Sequence, residues 1–177
     1  MKWSVIIPAL NEEEAIGSTI EDLVQNHSPE EILVADAGSI DRTVAIASRY
    51  ARVIEAPRGR AKQMNEGVKR SEADAFLFLH ADTKLPPGGL EDARQILASG
   101  KARAGRFRLR FDSEDLFLKL YAFYTRFPFF SYGDQGFFVT RELFEELHGY
   151  DEAVPFEDID FYRRLCEYTY DNKFNDK

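Results

Sequence analysis

His80-Ala-Asp82 follows an almost wholly apolar run, Ala75–His80 (AFLFLH). A carboxylate at such a strand end must be solvated, paired or bound to a cation. Hard divalent ions such as Mg²⁺ and Mn²⁺ bind through one or two carboxylates plus substrate phosphates. Asp82 suits that chemistry, with His80 two residues away on the same face if the strand stays extended. A plain turn ahead of Lys84-Leu-Pro-Pro is the other reading. Arg58-Gly-Arg60-Ala-Lys62-Gln-Met-Asn65 gathers three cations at the start of a helical pattern. Cations oppose the dipole at that end, so an anion such as phosphate would account for them. A solvated charge run would also do so.

Asp36-Ala-Gly-Ser-Ile-Asp41 is a strand-to-helix turn, with Gly38 for the bend and Ser39 or Asp41 as cap. Asp36 at a strand end could also hydrogen-bond a base or ribose. Glu157 and Asp158 precede a helical stretch, where acids cap and favour the dipole. An acid there could instead deprotonate a hydroxyl. Gly133-Asp-Gln135-Gly136 is a polar loop between aromatic segments, a hairpin turn or an element closing over substrate.

The elements that must position these residues follow from hydrophobic period. Apolar strand runs at Trp3–Pro8, Glu31–Asp36, Arg52–Ala56 and Ala75–His80 alternate with helical patterns at Glu12–Gln25, Asp41–Tyr50, Arg60–Arg70 and Leu90–Ala98. That order predicts an α/β fold with a mainly parallel central sheet flanked by helices. Ligands bind such sheets beyond the carboxyl ends of the strands. Pro8, Ala9, Asn11 and Glu12, then Asp36 to Asp41, then His80 and Asp82 all fall on that one rim. Beyond Arg103 the pattern changes: Arg103–Phe111 alternates as a half-exposed strand, and Asp115–Phe127 reads as an aromatic-rich helix. Gly136–Thr140 reads as a strand, with Arg141–Leu147 and Glu157–Tyr168 as helices.

The 177 residues suit one domain, expected over residues 1–168 with a polar tail at 169–177. Net charge is −8, the opposite of what a nucleic-acid binder needs. Cys166 is the single cysteine, which excludes an intrachain disulfide. The sequence offers no signal peptide and no apolar run of membrane-spanning length, so a cytoplasmic chain is expected.

The blocks SVIIPALNEE, ADAGSIDRT, RGRAKQMNEG, FLHADT, GDQGFFVTRELFEELHGYDE and FED, in this order from Trp3 to Asp160, resemble the inverting family 2 glycosyltransferases of GT-A fold. They are most similar to a bacterial subgroup with RGRAxQMN and FLHADT blocks. The resemblance implies a nucleotide-diphosphate-sugar donor, UDP-linked by default, and Mn²⁺ or Mg²⁺ as cofactor. It implies that Pro8, Ala9, Asn11 and Glu12 line the nucleoside pocket and that Asp36 contacts the base. Arg60, Lys62 and Asn65 would lie near the donor, and Gln135 in its loop would border sugar and acceptor. Asp82 would hold the metal as the last acid of Asp-x-Asp, with His80 in the place of the first acid. Asp158 would be the general base, with Glu157 beside it. Ala37 replaces the second acid of the usual Asp-Asp-Gly-Ser, and the Gln-x-x-Arg-Trp motif of many relatives is absent from the chain. That departure leads us to expect a C-terminally truncated transferase, and a non-catalytic sugar-nucleotide- or partner-binding domain is the competing class. A nucleotidyltransferase is disfavoured because Pro8-Ala-Leu-Asn11 stands where its glycine-rich loop would be. Leu116–Phe130 is dense in aromatics; core packing explains it. Exposed, it would suit a lipid-linked acceptor, peripheral contact at the inner membrane face or a homo-oligomer.

Overall fold

Trp3–Ala9 is buried along its whole length and forms β1, the strand around which the rest is ordered. The computed structural model describes residues 1–107 and 136–175, with side chains as far as Tyr168. β1 lies between β2 (Glu31–Asp36) and β4 (Ala75–Phe78), parallel to both, and β3 (Arg52–Glu55) extends the parallel set beyond β2. β6 (Phe137–Thr140) runs antiparallel to β4, and β5 (Ala104–Arg106) antiparallel to β6. The order among described strands is β3-β2-β1-β4-β6-β5. The expected parallel sheet thus continues on one side into an antiparallel pair.

A strand with helices on both faces needs apolar residues in both directions, which explains its continuous apolar run. Trp3, Val5 and Ile7 join the core beneath α1 (Ile16–Asn26), α2 (Thr43–Ala47) and α4 (Gly89–Ala98). Ile6 points the other way with Phe76, Phe78 and Val139. These pack with α3 (Arg60–Arg70), α5 (Arg141–Glu146) and Phe161 of α6 (Glu157–Asn175). The buried positions of α1, Ile16, Thr19, Ile20 and Leu23, show the expected 3–4 spacing. Gly67 sits in α3 because a Cβ there would come within 2.6 Å of Ile6 Cγ2. A side chain would force the helix off the sheet.

Several boundaries differ from expectation. α1 starts at Ile16 rather than Glu12, because Asn11 has φ 57° and residues 12–15 form a turn. β4 stops at Phe78 rather than His80. α2 is a short Thr43–Ala47 helix followed by turns. α6 runs on to Asn175 instead of ending near Tyr168. Helix propagation adds a hydrogen bond per residue whether or not an apolar stripe persists. The Asp115–Phe127 helix and the Leu116–Phe130 aromatic segment lie outside the described residues. No described helix is long and apolar enough to cross a membrane.

Candidate active site

The loops that leave β1 and β2 are laced into one wall. Asp36 is buried and accepts hydrogen bonds from the backbone N–H groups of Gly38 (2.9 Å) and Ser39 (3.0 Å) and from Ser39 Oγ (2.5 Å). Gly38 completes the turn at φ 87°, a conformation costly for residues with a Cβ. Ser39 Oγ in turn accepts from the N–H of Asn11 (2.9 Å), whose Oδ1 accepts from the N–H of Ile40 (2.9 Å). Thr43 Oγ1 accepts from the Glu12 N–H (2.7 Å), and Asp41 from those of Glu13 (3.2 Å) and Thr43 (2.9 Å). The turn reading of this segment describes its geometry, with both Asp36 and Asp41 acting as acceptors, but the N-cap of α2 is Arg42, without a side-chain cap bond, rather than Ser39 or Asp41.

Beneath the wall lies Gln63, only 4% exposed. Its Nε2 donates to the carbonyls of Ala9 (2.9 Å) and Ala35 (2.8 Å), tying together the ends of β1 and β2. The third side of the rim is a tight turn, with the Thr83 N–H donating to His80 O (3.2 Å). Thr19 Oγ1, buried in α1, anchors it by donating to Ala81 O (2.6 Å). His80 and Asp82 therefore sit on a turn rather than on one face of an extended strand. Asp82 is exposed, so water supplies the solvation its carboxylate needs.

Across from these turns, Arg60 opens α3. Its Nε donates to Glu157 Oε1 at 2.6 Å, and its guanidinium lies 3.6 Å from Asp158 Oδ2. Glu157 is 6% exposed, so this ion pair is largely desolvated on the carboxylate side. Tyr150 packs edge-on to Phe78 at 5.1 Å and against Phe161 at 4.8 Å. Its hydroxyl is buried and has no hydrogen-bond partner among the described residues. Burial, reinforced by Asp158 and Glu157, holds that phenol protonated well above the usual tyrosine range.

A hollow of about 290 Å³ opens between these parts. Pro8, Ala9, Glu12, Arg60, His80 and Asp82 line it together with Leu10, Arg58, Gly59, Gln63 and Ala81. Partial burial pushes the Glu12 carboxyl above its ordinary range. Asp82 adds to the effect and His80 pulls the other way. Glu12 and Asp82 are thus close enough for their charges to interact, and Arg58 and Arg60 line the same hollow.

The remaining candidates fall elsewhere. Asn11 and Asp36 brace the wall. Lys62 is half-buried on α3 outside the hollow's lining. Asn65 is turned away: its Oδ1 accepts from the Tyr150 N–H (3.0 Å), while its Nδ2 donates to Tyr150 O (2.9 Å) and Glu152 Oε1 (3.1 Å). It lines a separate hollow of about 740 Å³ between α3 and α5 that shares no residue with the first. Glu157 and Asp158 reach the smaller hollow through Arg60. Gln135 lies outside the described residues. Sequence reasoning passed over Gln63 and Tyr150. An amide on the same stripe as buried Met64, Gly67 and Val68 was the available signal for Gln63.

A model of glycosyl transferase family 2 matches residues 4–152. The chain belongs to that family. A probable glycosyltransferase of Bacillus subtilis, YdaM, is 27% identical over 203 residues, covering 98% of the chain and 48% of YdaM. The poly(ribitol-phosphate) beta-N-acetylglucosaminyltransferase TarS of Staphylococcus aureus is 29% identical over 108 residues, 55% of the chain and 19% of TarS. This family 2 chain thus spans about half the length of YdaM and less of TarS. Its fold superimposes on a Pyrobaculum calidifontis mannosyltransferase in complex with GDP-Man and Mn²⁺, at TM-score 0.69 and 22% identity, covering 90% of this chain and 50% of the other. TarS residues 1–349 with UDP-GlcNAc give TM-score 0.68 at 21% identity over 93% and 53% of the two chains. The family 2 chain therefore has the GT-A fold of these transferases, its sheet flanked by helices.

Proposed function

We propose that this family 2 chain transfers a sugar from a nucleoside diphosphate to an acceptor hydroxyl, with the donor in the hollow at the ends of β1 and β4. The observation that carries the reading is that Glu12, Asp82, Arg58 and Arg60 all line one hollow. A diphosphate carries negative charge that guanidinium groups match in geometry. Two carboxylates lining the same hollow are suited to a divalent cation.

The donor set fits Mn²⁺ or Mg²⁺. Asp82 offers an exposed carboxylate, Glu12 a second on the same hollow, and His80 an imidazole that Mn²⁺ tolerates better than Mg²⁺ does. Among the described residues no three His, Cys, Asp or Glu side chains cluster closely enough to hold an ion alone. A diphosphate would complete the coordination, as is common for such ions. The chemistry such an ion supplies is neutralisation of the charge that builds on the leaving diphosphate.

The chain's own residues do the rest. The wall of Asn11, Asp36 and Ser39 shapes the nucleoside end. Arg58 and Arg60 face the phosphates. Asp158, held beside Arg60, accepts the proton of the acceptor hydroxyl as that oxygen attacks the anomeric carbon. A single displacement of this kind inverts the product configuration. UDP-GlcNAc and GDP-Man in the two structural neighbours make UDP- and GDP-linked sugars the donors to compare.

The test is calorimetric titration with UDP and GDP, each with Mn²⁺ or chelator. One nucleotide should bind with Mn²⁺ dependence, and Asp82→Ala should remove that dependence. Asp158→Asn should keep donor affinity and lose turnover by roughly 10²-fold or more, the usual scale for a lost base. Absence of nucleotide binding in the wild type would sink the reading. Donor binding without turnover in the wild type would favour a non-catalytic sugar-nucleotide-binding domain.

A further inference from the structure

We propose that Gln63 is a positioning residue for the nucleoside end of this donor site, an inference that rests on the reading above. A glutamine amide has two N–H donors, and Nε2 gives its pair to the carbonyls of Ala9 and Ala35. Those carbonyls stand where the β1–β2 ladder stops, its last paired residues being Ala9 and Asp36. Beyond that point the strands give way to the two laced loops, and Gln63 joins the Ala37 N–H, which also donates to Ala9 O (3.0 Å), in fixing the separation from which they start. It lies on the floor of the hollow with Ala9.

Packing alone does not call for an amide here. Leucine or methionine would fill the same stripe of α3 without polar groups to satisfy. Glutamine adds a bridge that holds Asn11, Asp36 and Ser39 in place before a ligand arrives. Ordering a loop on binding weakens affinity, so a wall built in advance strengthens it.

Gln63→Glu keeps the shape but sets carboxylate oxygens against two carbonyls, whereas Gln63→Leu removes the bridge with little change of volume. Both should weaken Mn²⁺-dependent binding of UDP or GDP about tenfold, measured well below the melting transition, with Gln63→Glu the worse of the two; tenfold corresponds to about 1.4 kcal/mol. Amide exchange should quicken at Asn11, Ser39 and Ile40 and stay unchanged in α4. Asp82→Ala should instead remove Mn²⁺ dependence and leave those amides protected. Affinity within about twofold of wild type in both folded variants would overturn the inference and leave the donor site standing. A faster exchange spread evenly through the sheet would overturn it too, as the mark of a purely structural residue. Should Gln63→Leu fail to fold, Gln63→Met carries the comparison. A wild-type chain that binds neither nucleotide overturns the donor-site reading itself, before any Gln63 variant is compared.

Discussion

Glu12 illustrates how one residue type can serve two ends. Its backbone N–H belongs to the loop wall, while its carboxylate lines the hollow within electrostatic reach of Asp82. Partial burial and that repulsion raise its pKa, so the carboxyl takes up a proton more readily in the folded than in the unfolded chain. A raised folded pKa means stability is highest below the ordinary carboxylate range and falls as pH rises through the folded value. Glu12→Gln should therefore raise the melting temperature slightly at neutral pH. The gain should vanish in acid, where wild-type Glu12 is already neutral, and calorimetric melts at the two pH values check this. The same variant should weaken Mn²⁺-dependent nucleotide binding if its carboxylate helps hold the ion. Asn65 makes the complementary point. Its amide, which by resemblance belongs near the donor, instead pairs with both backbone groups of Tyr150 and fixes the segment that leads to Glu157.

The elements bearing the site are joined at their other ends by charge. Glu30, just ahead of β2, accepts two bonds from Arg94 of α4 (2.7 and 2.8 Å) and one from the Trp3 N–H (3.0 Å). The Arg94 hydrogen bonds lead in bringing the Glu30 carboxyl down from 4.5 to about 2, against the opposing effect of burial. A depressed folded pKa gives stability that is present above pH 4.5 and lost as pH falls through about 2. Because Glu30 is 40% exposed, the pair is screened and contributes at most about 1 kcal/mol. Arg94→Gln should melt lower than wild type at neutral pH, and the gap should close across that acid window. A gap that persists unchanged at the acid end would mean that Arg94 acts through its guanidinium over the Trp3 ring rather than through its pair with Glu30. Arg164 plays a similar part between helices: it donates to Asp160 (2.7 Å) and to the carbonyls of Leu147 and Gly149, holding the start of α6 against the end of α5.

At the scale of the whole molecule, the acids of the site depend on the apolar core that holds α6 to the sheet. Phe161 is 1% exposed and packs against Phe137 (5.4 Å), Phe144 (5.5 Å) and Tyr150, so it fastens α6 to the sheet. Phe161→Ala should cost about 3–5 kcal/mol in urea unfolding, the usual loss for a buried ring. It should also loosen the Arg60–Glu157 pair; a loss under about 1 kcal/mol would show that α6 stands outside the cooperative core. The sequence alone determined the alternation of strands and helices through Ala98, because hydrophobic period is a local property of the chain. It also determined that Glu12, Asp36 and Asp82 share one rim, because polar residues recurred wherever a parallel strand ended. Element ends were less legible, since α1 and β4 are cut short by turns whose partners, Asp41, Thr43 and Thr19, lie on other elements. Only the tertiary structure decided that β6 pairs antiparallel with β4, that Gln63 bridges two strands and that Arg60 meets Glu157 across 97 residues of sequence. Contacts between distant segments leave no periodic trace in the chain. They are chosen by which buried polar groups can satisfy one another once the helices have settled on the sheet.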